Sequence, residues 1–347
     1  TTTEAVTLSD TTLAAATLNT LDGNTTGAVD ATTVTTLTGS AANMNTAYAS
    51  MGISNLANEA VRLDDASLAA ATLNMLDDNT TGAIDAATVT TLTGSAANVN
   101  TAYASGGVTN LGDVTVTLTD TTLTVATLNT LIGYTAGLVD ATTVTTLTGS
   151  TADVNTAYTA FADGKVTSLG NETVILTDKD VFAETVVAID SATSGAINAT
   201  NVTTLTGSAS NVNSALTSAG VTNLDGDEAV TLTDTSLAAA TLNTLDGNTS
   251  GTVDATTVTT ITGTAVAIVT VAQSAGITMA ADYAATVDSG TATVAQALIL
   301  DATTKGAITA TITASDLTTL LALTDANTNG NNALTIIETG PSADAAY

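Results

Sequence analysis

The sequence predicts an α/β repeat solenoid, in which short parallel strands alternate with short helices. Three observations carry this expectation. A glycine at the end of a conserved-looking phrase returns at Gly27, Gly82, Gly137, Gly195, Gly251 and Gly306, in steps of 55, 55, 58, 56 and 55 residues. Short runs alternate Val or Leu with Thr, as in Val114-Thr115-Val116-Thr117-Leu118. Ala/Leu-rich segments of about ten residues, such as Leu13 to Leu21, separate them. A period in this range belongs to stacked arrays, whose units bury their apolar faces only against neighbours. An all-β solenoid is the alternative, because helices this short and rich in Thr are marginal alone.

Each unit reads in order. The run Glu4 to Asp10, with relatives at Val114 to Asp120 and Ala229 to Asp234, has period two and β-branched residues, the signature of a strand. An Asp follows at positions 10, 65, 120, 178 and 234 and is expected to N-cap the helix after it. Leu13, Thr17, Leu18 and Leu21 would share one face of that helix, which Asp22-Gly23-Asn24 and the residues to Gly27 would end. Ala28 to Ala31 is a second, very short strand. Val34, Leu37, Ala41, Met44 and Tyr48 form another helical stripe, broken at Gly39-Ser40 into a turn and a helix capped by Ser40. Gly52 to Leu56 is a third extended piece. Five repeats then span 1–263, with starts near 4, 59, 114, 172 and 228. Residues 264–347 form a divergent repeat or terminal cap continuous with the solenoid. With two coils per unit and strands ~4.8 Å apart, six units would stack to about 55 Å.

Composition limits the function. The 347 residues are 44% hydrophobic but only 2% aromatic, and Thr makes up about a quarter. The core must therefore come from Ala, Val, Leu and Ile. Thirty-three acidic residues against four basic ones give a net charge of −29, which repels nucleic acid and anionic membranes and attracts divalent cations. With no Cys and no His, disulfides, soft-metal sites and the commonest acid–base and nucleophilic chemistry are excluded. No apolar run reaches the ~18 residues of a membrane helix. The chain opens mid-pattern without a Met, which reads as a processed product or an excised piece.

Several side-chain columns carry candidate chemistry. Asp22, Asp77, Asp190, Asp246 and Asp301 recur at one position, with Ile132 interrupting. Asp30, Asp85, Asp140 and Asp254 recur at another, with Asn198 in the series. Carboxylates and turn carbonyls make hard-oxygen Ca²⁺ sites, and they are equally the best local acceptors for turns and caps. Asp325, Asn327 and Asn329, followed by Gly330, match the start of an EF-hand calcium loop. Position 12 is Ile336, and Glu338 lies two residues too far. The sequence calls for no cofactor, with calcium as the alternative. The runs at 32–36, 142–146 and 256–260 are Thr-rich and could either order water as an ice-binding array or serve strand and cap chemistry. Tyr48, Tyr103 and Tyr158, continued by Leu216, suggest packing or a sugar-stacking strip.

The phrase from Leu18 to Ala42, Leu-Asn-Thr-Leu-Asp-Gly-Asn-Thr-Thr-Gly-Ala-Val-Asp and onward, resembles the repeats of very long secreted or cell-surface proteins of cyanobacteria and other, often marine, bacteria. The segment from Thr293 to Gly306 resembles a second repeat subtype of those proteins. The resemblance implies an extracellular surface, adhesion or matrix role and names no catalytic or binding residue. The expected function is a non-enzymatic structural segment of a surface protein or filament, assembling head to tail into fibres. Its partners would be copies of itself or neighbouring repeats, and divalent cations. A calcium-dependent adhesin stalk and an ice-binding array are the second and third expectations.

Overall fold

The computed structural model describes residues 2–314, 321, 323 and 332–338. The chain falls into two compact units, Thr1–Ile175 and Leu176–Tyr347, and each is an α/β solenoid of parallel strands and short helices. Unit 1 holds helices α1 (Ala15–Asn24), α2 (Ala41–Ala49), α3 (Ala70–Asn79), α4 (Ala96–Ala104), α5 (Val125–Tyr134) and α6 (Thr151–Ala162). Unit 2 holds α7 (Ala183–Ala192), α8 (Ala209–Thr217), α9 (Ala239–Asn248), α10 (Ala265–Gln273) and α11 (Val294–Thr303). Within each unit, consecutive helices pack on one another. Among the described residues no helix is long and apolar enough to cross a membrane.

The strands stack with a period near 24 residues. In unit 1, Leu13 pairs with Leu37, Leu37 with Val61, Val61 with Ile84, and Val108 with Ile84. In unit 2, Val181 pairs with Leu205, Leu205 with Val230, Val230 with Val253, and Val253 with Ile277. These side chains point inward, where Leu37, Ile84, Leu205 and Val253 are fully buried. Each helix adds a narrow inward face of small then large residues, such as Ala70, Leu73 and Leu76 in α3. This is how Ala, Val, Leu and Ile build a core without aromatics: every coil is thin, and its apolar residues meet their equivalents one coil away.

Two 24-residue coils do not fill a 55-residue repeat, and the remainder is an extra strand. Thr12–Ala14 precedes α1, Ser67–Ala69 precedes α3, and Thr122–Thr124 precedes α5. Ser67–Ala69 pairs with Thr91–Gly94 and so begins a new five-stranded sheet, while the sheet begun by Thr12–Ala14 ends at Val108–Thr109. In unit 2, Asp180–Phe182 and Ser236–Ala238 begin sheets in the same way. One sheet therefore starts per repeat, and the sheets overlap like stairs.

This arrangement corrects two sequence readings. Leu13 lies in a strand, not on the helix face, and Thr17 is exposed. Leu37 lies in the strand Thr36–Gly39, not in a turn. The two segments are each other's pairing partners, and a three-residue strand has almost no local signal of its own. The Ser40 cap stands as expected, accepting from Asn43 N at 3.3 Å, and Ser95, Ser150 and Ser208 repeat it.

The recurring Asp after the first strand does not cap the helix that follows. Helices α1, α3, α5, α7 and α9 have no side-chain N-cap. Instead Asp65 Oδ2 accepts from Ala41 N at 2.8 Å, Asp120 Oδ2 from Ala96 N at 2.8 Å, and Asp234 Oδ2 from Ala209 N at 2.7 Å. Each caps the helix of the coil before it, about 24 residues upstream, and adds its charge at the positive end of that helix.

Candidate functional site

The first Asp column sits near the C-terminal ends of α1, α3, α7 and α9, and each member closes a short relay. Ser50 Oγ donates to Asp22 Oδ2 at 2.7 Å and accepts from Gly52 N at 3.1 Å. Ser105 does the same between Asp77 and Gly107, Ser218 between Asp190 and Gly220, and Ser274 between Asp246 and Gly276. A Cβ on Gly52 or Gly107 would meet the Asp Oδ1 at 2.1 or 2.4 Å, so the glycine is required by the carboxylate. Asp301 is buried and accepts from Asn332 Nδ2 at 3.2 Å, while Asn332 Oδ1 accepts from Ile308 N. The column thus fixes the turn from one helix into the next strand.

The second column makes Asx turns. Asp30 Oδ1 accepts from Thr32 N at 3.1 Å, Thr32 Oγ1 at 2.5 Å and Asn55 Nδ2 at 2.8 Å. Asp85, Asp140 and Asp254 repeat the contact to the residue two positions on. Asn198 makes the same bonds through Oδ1, to Thr200 N, Thr200 Oγ1 and Asn223 Nδ2. The position therefore needs an acceptor and tolerates loss of the charge. The donors hold the Asp30 carboxyl below its ordinary value, chiefly through the Thr32 hydroxyl. Asn110 does so for Asp85, and the Thr256 hydroxyl for Asp254. Asn55, Asn110 and Asn223 reach across by adopting left-handed backbone, with φ of 66°, 67° and 61°, which Asn tolerates best after Gly.

Among the described residues no three acidic side chains come together as a cluster. Asp325, Asn327 and Asn329 of the calcium-loop motif lie outside the described residues.

The Thr-rich runs are spent on the fold. Thr33 Oγ1 donates to Leu8 O and Asp10 O, and Thr35 Oγ1 to Thr11 O. Thr143 and Thr145, and Thr257 and Thr259, repeat these bonds. They fasten one coil to the previous one.

The sequence reading missed a column of buried carboxylates. Glu59, Glu172 and Glu228 are at most 3% exposed. Glu59 Oε2 accepts from Ala57 N and from the Tyr48 hydroxyl, each at 3.0 Å. Glu172 meets Gly170 N and the Tyr158 hydroxyl, and Glu228 meets Asp225 N and Gly226 N. The tyrosine column is thus tied to this turn. In the third repeat Val114 replaces the Glu. There the Tyr103 hydroxyl meets no Glu, and its ring stacks on Tyr134 at 5.9 Å. In the segment 264–347, Ala272 replaces the Tyr and Tyr283 replaces the Glu, with its hydroxyl 3.3 Å from that of Thr303. The signal was available as Glu4, Glu59, Glu172 and Glu228 before four of the first strands, but an isolated Glu reads as a surface residue.

The glycine that marks the period is explained here as well. A Cβ on Gly27, Gly82, Gly137, Gly251 or Gly306 would lie 2.0–2.3 Å from a backbone oxygen of the preceding coil. The buried Thr two residues earlier, for example Thr80 or Thr249, accepts from the glycine N–H and donates to that strand.

No protein-family model, no curated protein and no solved structure matches the chain.

Proposed function

We propose that this chain is a non-enzymatic structural repeat segment of an extracellular surface protein or filament, assembling end to end with further coils of the same kind. The observation that carries the reading is the use of the polar side chains. The Asp, Ser, Thr, Asn and Glu columns close backbone groups in their own or the adjacent coil, and no arrangement of acid, base and nucleophile recurs among the described residues. The acidic surface keeps such an array soluble and repels nucleic acid.

The strand edges support end-to-end growth. In unit 1, among the described residues, Val6–Thr7 pairs with Val29–Asp30 alone. In unit 2, among the described residues, Ala333–Glu338 pairs with Ile308–Ala314 alone. The two edges of any parallel sheet are different, so joining such edges is a heterologous contact, which grows into fibres where it does not close. Sedimentation velocity across a concentration series tests this. Mass should rise with concentration in the parent and stay monomeric in Thr7→Pro, because the N–H groups of Val6 and Leu8 donate inward to Ala28 O and Asp30 O and proline at Thr7 removes the outward-facing donor between them. A parent that stays monomeric throughout overturns the assembly part of the reading.

A further inference from the structure

The third repeat departs from the others at one spot, and the departures fit together. Where Asp77 stands one repeat earlier, the chain has Ile132; where Ser105 stands, it has Ala160, which is 7% exposed. Helix α6 runs on to Ala162, three residues longer than α4, and ends with Gly164 at φ 73° instead of a capping Ser. The residue whose carbonyl accepts from the next strand is then Lys165, bonded to Val139 N, in the role Gly107 plays for Ile84 N. A side chain fits there because no carboxylate occupies the place of its Cβ, as it does at Gly52, Gly107, Gly220 and Gly276.

The result is a hollow of about 290 Å³ lined by Ile132, Thr135, Ala136, Gly137, Val139 and Lys165. Its walls are mainly aliphatic, and one of only four basic side chains of a −29 chain stands at it. We propose that this hollow binds a small aliphatic carboxylate, with the chain against Ile132 and Val139 and the carboxylate at Lys165 Nζ. The size suits a ligand of fewer atoms than the ~300 Å³ and larger sites that hold drug-sized molecules. The charge selects the head group: elsewhere this surface repels anions, and no other copy of the position has either the cation or the apolar floor.

The test uses the full chain, with hexanoate as probe and hexylamine and acetate as comparisons, followed by NMR at the Ile132 methyl and the Val139 amide. Hexanoate should saturate both signals with a Kd of about 1 mM or tighter, and acetate and hexylamine should bind more weakly. Lys165→Gln should weaken hexanoate about threefold to fivefold, the size of an exposed ion pair. Ala136→Leu should fill the hollow and abolish saturation. This position holds Lys305 in another copy, so a longer side chain fits the fold there, and an unchanged melting temperature confirms that the variant is intact. Three results each overturn the proposal: no saturation by hexanoate, equal binding of hexylamine, or undiminished binding in a folded Ala136→Leu variant.

Discussion

Gly247 and Gly251 lie four residues apart in one repeat and carry opposite expectations. Nothing stands within 4 Å of a Cβ on Gly247, which is inside helix α9. Gly247→Ala should therefore stabilise by about 0.5–1 kcal/mol, the helix cost of glycine. A Cβ on Gly251 would be 2.1 Å from Glu228 O, so Gly251→Ala should destabilise by about 2 kcal/mol or more. Urea titration of the two variants measures both. The second Asp column gives a pH expectation. The folded-state pKa of Asp254 is lowered, so its contribution is complete above the ordinary carboxylate pKa and is lost as pH falls through the lowered value. Asp254→Asn, which copies the native Asn198, should match the parent near neutrality and lose less stability on the acid side. Thermal melts from neutral pH down to pH ~2 check this. At this scale the sequence was legible wherever donor and acceptor are neighbours: Ser40 sits three residues from the amide it caps. It was not legible where the partner is a coil away, as with Asp234 and Ala209.

The elements show the same division. The longer helices α1 and α3 were readable from their Ala/Leu phrases, and the alternating run at Thr115–Leu118 from its period. The three-residue strands before α1, α3 and α5 were not, because they exist through pairing with the coil 24 residues on. Without them the repeat looks like two equal coils, and the start of a new sheet in each repeat is hidden. The inter-coil cap is testable at this level. Asp234→Ala should speed hydrogen exchange at Ala209 and in the first turn of α8, and cost about 1 kcal/mol, the usual loss of an N-cap. The first turn of α9, which follows Asp234 in sequence, should keep its protection. Loss of protection in α9 alone would return the Asp to the role its sequence position suggests.

For the whole chain, the proposed assembly rests on charge and open strand edges. The net charge of −29 attracts calcium in general, but the two Asp columns already bind hydroxyl and amide donors. Millimolar calcium should therefore shift the melting temperature by no more than a few degrees. A rise of about 10 °C or more would show ligand linkage and favour the adhesin-stalk reading. The central claim is that this is a structural array that grows by strand addition. Electron microscopy of unfixed, concentrated protein tests it most directly. The account predicts unbranched filaments of uniform width, with strands stacked along the axis at the ~4.8 Å spacing of neighbouring strands. Discrete particles of single-chain size at every concentration would contradict it.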